Sequence, residues 1–305
     1  MPLLEREFLD YISKKIFPGN APPELQHWTF TERFYPNNYS LKNTEIAKGL
    51  EKMQGKYNPS GINQHIKEVI EKIYREFQDE LAQDGITEEK LNLGNYKGKP
   101  GRKTSSTARP WEIIYEWLWN QKYYRWLPDY IWENWKQKAQ TNLDWIQFCP
   151  HSEDYSSKGM KIPPALPKES LPINTPLNLK INLDTPGSYL LLFNRGRDSQ
   201  GNITKYLVTP SKAFAPSYQI VEKTTSIPLQ NAICKDIQFD TVSTEEYIGI
   251  VINNPLDLPW LNPDSHNPIV EWEGKELEQV WEQLRSQDNW QVFYQNFDVI
   301  SFNNG

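Results

Sequence analysis

Apolar side chains near the start of the chain fall at Leu4, Phe8, Leu9, Tyr11, Ile12 and Ile16. Steps of three and four residues lay them along one side of a helix, which Pro18-Gly19 ends. After a Pro22-Pro23 connection, Asn43 or Thr44 is placed to cap a short helix over residues 45–50, and a basic loop runs from Lys52 to Lys56. Asn58-Pro59-Ser60 is a second start signal, with Ser60 as N-cap. The stripe Ile62, Ile66, Val69, Ile70, Ile73, Phe77 and Leu81 predicts the longest helix of this stretch, ended by Asp84-Gly85. Its other face carries Lys67, Glu68, Glu71, Lys72, Arg75 and Glu76 and belongs in water.

Residues 95–109 contain Lys97, Lys99, Arg102, Lys103 and Arg109 and no acid. Their Gly, Pro, Ser and Thr oppose regular structure, so they read as a mobile basic linker. Pro110 opens a helix at a position where a missing N–H costs nothing. Trp111, Ile114, Tyr115, Leu118 and Trp119 form one of its faces, further aromatics occupy others, and Pro128 stops it. A second aromatic helix holds Tyr130, Ile131, Trp132, Trp135 and Trp145, and a loop spans about 149–175.

From Pro176 the period changes to two. Leu177, Leu179, Ile181 and Leu183 alternate with Asn178, Lys180 and Asn182, as in a half-buried strand. Further strands are expected at 188–194, 203–208, 218–221, 226–229, 233–239 and 247–252, with a turn at Thr185-Pro186-Gly187 and a hairpin loop at 198–202. Leu277, Val280, Trp281 and Leu284 mark a late helix, and Val292, Tyr294 and Phe297 a last strand or extended tail. The expected fold class is α+β. A helical, helix-turn-helix-like domain (1–92) leads through a basic linker (93–109) and a Trp-rich helical connector (110–148) to an antiparallel β-sandwich domain (170–305).

Composition narrows the class. Aromatics make up 13% of 305 residues, far above a disordered chain. No apolar run approaches the roughly 20 residues of a membrane span, and the charged N-terminal stretch lacks a signal-peptide core. Two cysteines, Cys149 and Cys234, fit a reducing cytoplasm. Charge is uneven: residues 1–110 hold 17 Lys+Arg against 15 Asp+Glu, and residues 111–305 hold 16 against 24. The two halves therefore suit different partners.

Candidate chemistry is sparse. No phosphate-binding glycine loop and no nucleophile elbow occurs. Cys149-Pro150-His151 is the one close Cys/His pair: a thiol–imidazole couple, half a metal site, or two polar loop residues beside a turn. Glu245-Glu246 and Glu271/Glu273 are paired acids whose spacing names no reaction, and surface carboxylates are common. The expectation is no catalysis, no cofactor and no metal. The seven tryptophans between Trp111 and Trp145 offer either a partner surface or a core joining the two parts.

Residues 44–81, a short helix, a turn and a long helix, resemble a helix-turn-helix of the winged-helix or sigma-factor type. Thr44-Glu45-Ile46-Ala47 matches the opening of the first helix and Ile62 the buried residue of the second; the turn is several residues longer. The resemblance implies contact with double-stranded DNA by the second helix's leading end. Ser60, Asn63, Gln64 and Lys67 would meet base edges or phosphates, and Lys97, Lys99, Arg102 and Lys103 would meet phosphates.

Residues of about 170–253 resemble a prokaryotic β-sandwich domain of unknown function that accompanies caspase-like peptidases, protein kinases and regulators in signalling and defence loci. The residues that carry this are Leu177–Leu183, Gly187–Asn194, Gly201-Asn202-Ile203-Thr204, Tyr206–Pro210 and Glu245–Val251, with Phe193-Asn194, Gly201 and Pro210 as its hallmarks. The resemblance implies a sensing or docking module without catalytic residues. The function expected is a regulatory adaptor, a DNA-binding transcription regulator. The alternative is a protein-interaction subunit of a bacterial antiviral defence or caspase-like peptidase system that binds no nucleic acid.

Overall fold

The structure, a computed structural model, describes residues 3–19, 24–55, 57–93, 108–140, 144–151 and 170–301. The architecture is mixed α+β, and the chain divides into two compact units, Met1–Leu127 and Pro128–Gly305.

In the first unit, α1 (Leu4–Ile16) buries Leu4, Phe8, Leu9, Ile12 and Ile16, as their spacing predicts. The sequence pattern leaves residues 24–33 unassigned, yet α2 (Glu24–Arg33) occupies them. Its buried face is Thr29, Phe30 and Arg33, so polar side chains break the apolar stripe. The Thr29 hydroxyl and both terminal Arg33 nitrogens have partners, whereas Arg33 Nε has none among the described residues. Thr29 Oγ1 donates to the Leu25 carbonyl (2.7 Å) and lies 2.9 Å from the Tyr57 hydroxyl. The Arg33 guanidinium donates to the carbonyls of Leu41 (2.8 Å) and Tyr39 (3.0 Å) and sits 3.4 Å over the Trp111 ring.

Helix α3 (Asn43–Gln54) is longer than the helix expected over 45–50, so Lys52 is helical and not in a loop. Its start is fixed at Lys42, whose N–H donates to Glu45 Oε2 (2.7 Å), and Gly55 ends it. The long stripe becomes α4 (Ile62–Glu76) and α5 (Gln78–Gln83), divided at Phe77, where φ is -117°. Ser60 is not the N-cap. Asn58 Oδ1 accepts from the Ser60 N–H (3.1 Å) and hydroxyl (2.8 Å), opening a 3-10 turn, Pro59–Gly61, ahead of α4.

Helix α6 (Pro110–Trp117) passes through a π-helical turn, Leu118–Lys122, into α7 (Tyr123–Lys138). Pro128 therefore lies inside a helix and does not stop it. An interior proline costs about 3 kcal/mol. Burial of Ile131, Trp132 and Trp135 just beyond it, all at 0% exposure, outweighs that cost. Trp145 is not helical; it precedes the first strand. Five of the seven clustered tryptophans are buried, and Trp119 and Trp126 are half-buried. Trp117 packs on Phe77, Trp132 stacks on Trp272, and Trp135 meets Phe193.

The second unit carries β1 (Ile146–Pro150), β2 (Ser170–Pro172), β3 (Leu177–Asn182), β4 (Tyr189–Asp198), β5 (Ile203–Thr209), β6 (Thr224–Ile227), β7 (Ser243–Ile252), β8 (Val270–Glu271), α8 (Gly274–Arg285) and β9 (Gln291–Ile300). One sheet has the order β1-β3-β6, the other β2-β9-β7-β4-β5-β8. The pairing of β2 with β9 is parallel, which corrects the fully antiparallel expectation. The region read as a loop over 149–175 contains β2 and the end of β1, both short strands at sheet edges. Residues 218–221 and 233–239 form only isolated bridges, Tyr189↔Gln219 and Leu177↔Ile237.

Leu179 and Ile181 of β3, Leu192 of β4, Tyr247 of β7 and Phe297 of β9 share one hydrophobic cluster, so both sheets contribute to it. Trp145 belongs to it and lies on Gly249, where a Cβ would stand 2.7 Å from the indole ring. Strand alternation turns Phe193 and Arg195 to the other face, against Trp135 and Trp132 of α7. Among the described residues no helix is long and apolar enough to cross a membrane.

Candidate functional site

The leading end of α4 is the site the sequence singles out. Ser60, Asn63, Gln64 and Lys67 are all exposed. The amphipathic stripe puts them there: Ile62, Ile66 and Ile70 are buried, which turns the intervening residues outward. Neighbours already engage them. Asn63 Oδ1 accepts from Asn43 Nδ2 (2.9 Å), Gln64 Nε2 donates to Glu68 Oε1 (2.8 Å), and Lys67 Nζ lies 3.9 Å from Glu71. Glu68 is held below the usual carboxylate range, first by the Gln64 bond and then, against the pull of burial, by Gln26 and His65. Residues 1–93 hold 12 Lys+Arg against 15 Asp+Glu. Lys97, Lys99, Arg102 and Lys103 lie outside the described residues.

Sequence reasoning missed a second site, at the acid pair of β7. Glu245 and Glu246 are not both surface carboxylates: Glu245 is only 6% exposed. Alternation sends them to opposite faces of the six-stranded sheet. Glu246 faces α7, where it accepts from Arg195 Nε (2.8 Å), Lys136 Nζ (3.0 Å) and the Tyr294 hydroxyl (2.7 Å). Burial alone would push its carboxyl up, but the bonds from Tyr294, Lys136 and Arg195 bring it below the usual range. Burial pushes the Tyr294 phenol up to about 12. Arg195 also reaches Asp129 (3.2 Å) and Glu133 (3.3 Å) and lies 4.6 Å over the Trp132 ring.

Glu245 faces the other way and meets no positive charge among the described residues. Its carboxylate accepts from Asn194 Nδ2 (2.8 Å) and Ser243 Oγ (2.7 Å). Burial raises its carboxyl, and these two bonds only partly offset the rise. The buried Tyr247 phenol is raised well above its ordinary value, by burial first and by Glu245 second. Gly196, directly across from Glu245 in β4, leaves room for the carboxylate; a Cβ there would stand 2.7 Å from one of its oxygens. Glu245 and Asn194 line a cavity of about 300 Å³.

The register explains why this site escaped the sequence. Asn194 and Glu245 are far apart in the chain, and only the pairing Asn194↔Tyr247, Gly196↔Glu245 brings them together. The hallmark Phe193-Asn194 does contain one member of the site. The strand's last apolar side chain packs on α7, and the residue after it holds the carboxylate. Cys149 and His151 form no couple: Cys149 lies in β1 opposite Asn178, and His151 Nδ1 is 3.0 Å from Asn178 Oδ1. Among the described residues, no group of three or more His, Cys, Asp or Glu is placed to hold a metal ion. No protein-family model matches this chain, and no curated protein does.

Proposed function

We propose that this protein is a non-enzymatic, cytoplasmic regulatory adaptor: its helical unit contacts double-stranded DNA, and its β unit is a sandwich that receives a signal. The observation that carries the first half is the exposure of Asn63, Gln64 and Lys67 on one turn of α4. Amides of this kind match adenine edges, and a lysine matches phosphate or guanine. The sandwich reading rests on the single cluster fed by both sheets. The experiment is electrophoretic retention of duplex DNA by the full chain at low and raised salt. Lys67→Ala and the pair Lys97→Ala/Lys99→Ala should each weaken retention and flatten its salt dependence, by about one in the log–log slope per lost phosphate contact. Absence of any salt-sensitive retention overturns the DNA reading.

A specific observation favours a second reading, a protein-docking subunit of a defence or caspase-like peptidase system without nucleic acid. Glu68 and Glu71 flank the leading end of α4 and engage Gln64 and Lys67. Acids there repel phosphate and suit a basic protein surface. Retention of no duplex at any salt favours this reading.

A further inference from the structure

We infer that the cavity at Glu245 is a binding site for a small organic cation, an amine or amidinium carried on an apolar or aromatic body. This deepens the reading of the β unit as a receiving module and rests on that reading, not on the partner of the helical unit.

The inference starts from an imbalance of charge. A buried carboxylate is ordinarily paired with a cation, because burying it alone costs several kcal/mol. Glu246, its neighbour in the chain, has Arg195 and Lys136. Among the described residues Glu245, 6% exposed, has only the neutral donors Asn194 and Ser243. Each carboxylate oxygen accepts one of these bonds and keeps lone-pair capacity for another donor. The same carboxylate lines a cavity, so the missing positive charge has a place to enter.

The rest of the lining names the body of the ligand. Val208, Phe214 and Phe239 give the cavity apolar walls, and the Tyr206 ring stands beside them. Aromatic faces favour a cation and a flat or hydrocarbon body together. Gln238 and Asp240 are exposed lining residues and place a second carboxylate at the mouth. A volume of about 300 Å³ is the lower limit of ordinary ligand pockets, which excludes a folded partner and suits a molecule the size of one aromatic ring with a short charged arm. Among the described residues no group of three or more His, Cys, Asp or Glu here could hold a metal ion.

The test is calorimetric titration of the full chain with 2-phenylethylammonium and with benzamidinium. Each is set against its uncharged counterpart, 2-phenylethanol or benzamide. The expected result is saturable one-to-one binding of the cations, at least about tenfold tighter than their counterparts. Glu245→Gln, which keeps the shape of the side chain, should abolish that preference. Asp240→Asn, at an exposed position with no risk to folding, should weaken the cations and leave the uncharged molecules unchanged. Equal binding of charged and uncharged probes, undiminished preference in Glu245→Gln, or no saturable binding of either cation overturns the inference. Loss of cation preference bears on Glu245 alone; a β unit that receives some other signal would bind neither cation and still be compatible with the reading of that unit as a receiving module.

Discussion

Neighbouring residues with the same side chain can be opposite in chemistry, and Glu245 and Glu246 show how. One is pushed up by burial; the other is drawn down by Tyr294, Lys136 and Arg195 against the same burial. The sign of the pH dependence follows for Glu245. Below the ordinary carboxylate value of 4.5 the group is protonated whether folded or unfolded, and its burial carries no charge penalty. As pH rises, the unfolded chain ionises first, and stability is lost until the folded carboxyl also ionises. Glu245→Gln should therefore raise the urea midpoint above neutrality and leave it unchanged below pH 4.5. The Ser243 hydroxyl, now a donor, can turn to accept from the new amide. Urea titrations at the two pH extremes check this, and an equal effect at both would refute the account of Glu245. That acid pair was legible in the sequence as a pair, but its division was not. The partners lie on β4, α7 and β9, and a linear pattern carries no pairing register.

Among the elements, those with a clean period stood out in the sequence. Helices α1, α4 and α8 and strand β3 show their buried faces directly in their spacing. Helix α2 did not, because two of its three buried side chains are polar and held by specific bonds. Pro128 misled for the opposite reason: a strong local stop signal yielded to the burial of the side chains beyond it. Residues 218–221 have strand composition but touch the sheet only briefly, at Leu190 N to the Tyr218 carbonyl (2.7 Å) and Ile220 N to the Ser188 carbonyl (2.7 Å). The exposed turn of α4 was fully legible, because amphipathicity states which side is outside. For α2, the dependence on polar contacts is testable. Thr29→Val keeps the volume but leaves the buried Tyr57 hydroxyl without its 2.9 Å partner. The expected loss is about 1–3 kcal/mol by chemical denaturation. A neutral result would show that the hydroxyl pair contributes nothing to anchoring α2.

For the molecule as a whole, the two units differ in how far apart in the chain their partners lie. Helical hydrogen bonds in α4 close within single turns, whereas β7 must find β4 on one side and β9 on the other, as in the pairs Leu190↔Val251 and Ser243↔Val299. Distant pairing is slower because loop closure precedes any gain. Pulse-labelled hydrogen exchange during refolding should find the amides of α4 protected before those of β7, and the reverse order would contradict this. Strand β7 also raises a question of alignment. Both of its sides are apolar beyond the acid pair, Tyr247 and Val251 on one and Ile248, Ile250 and Ile252 on the other, so oiliness alone does not choose between them. A slip by one place could even hand Glu245 to Arg195. What forbids it is the indole of Trp145 seated on Gly249, since the slip would bring Ile248 or Ile250 beneath a ring that tolerates no side chain. That glycine works as a locating pin, and by fixing the strand it decides which of two identical acids stays uncompensated.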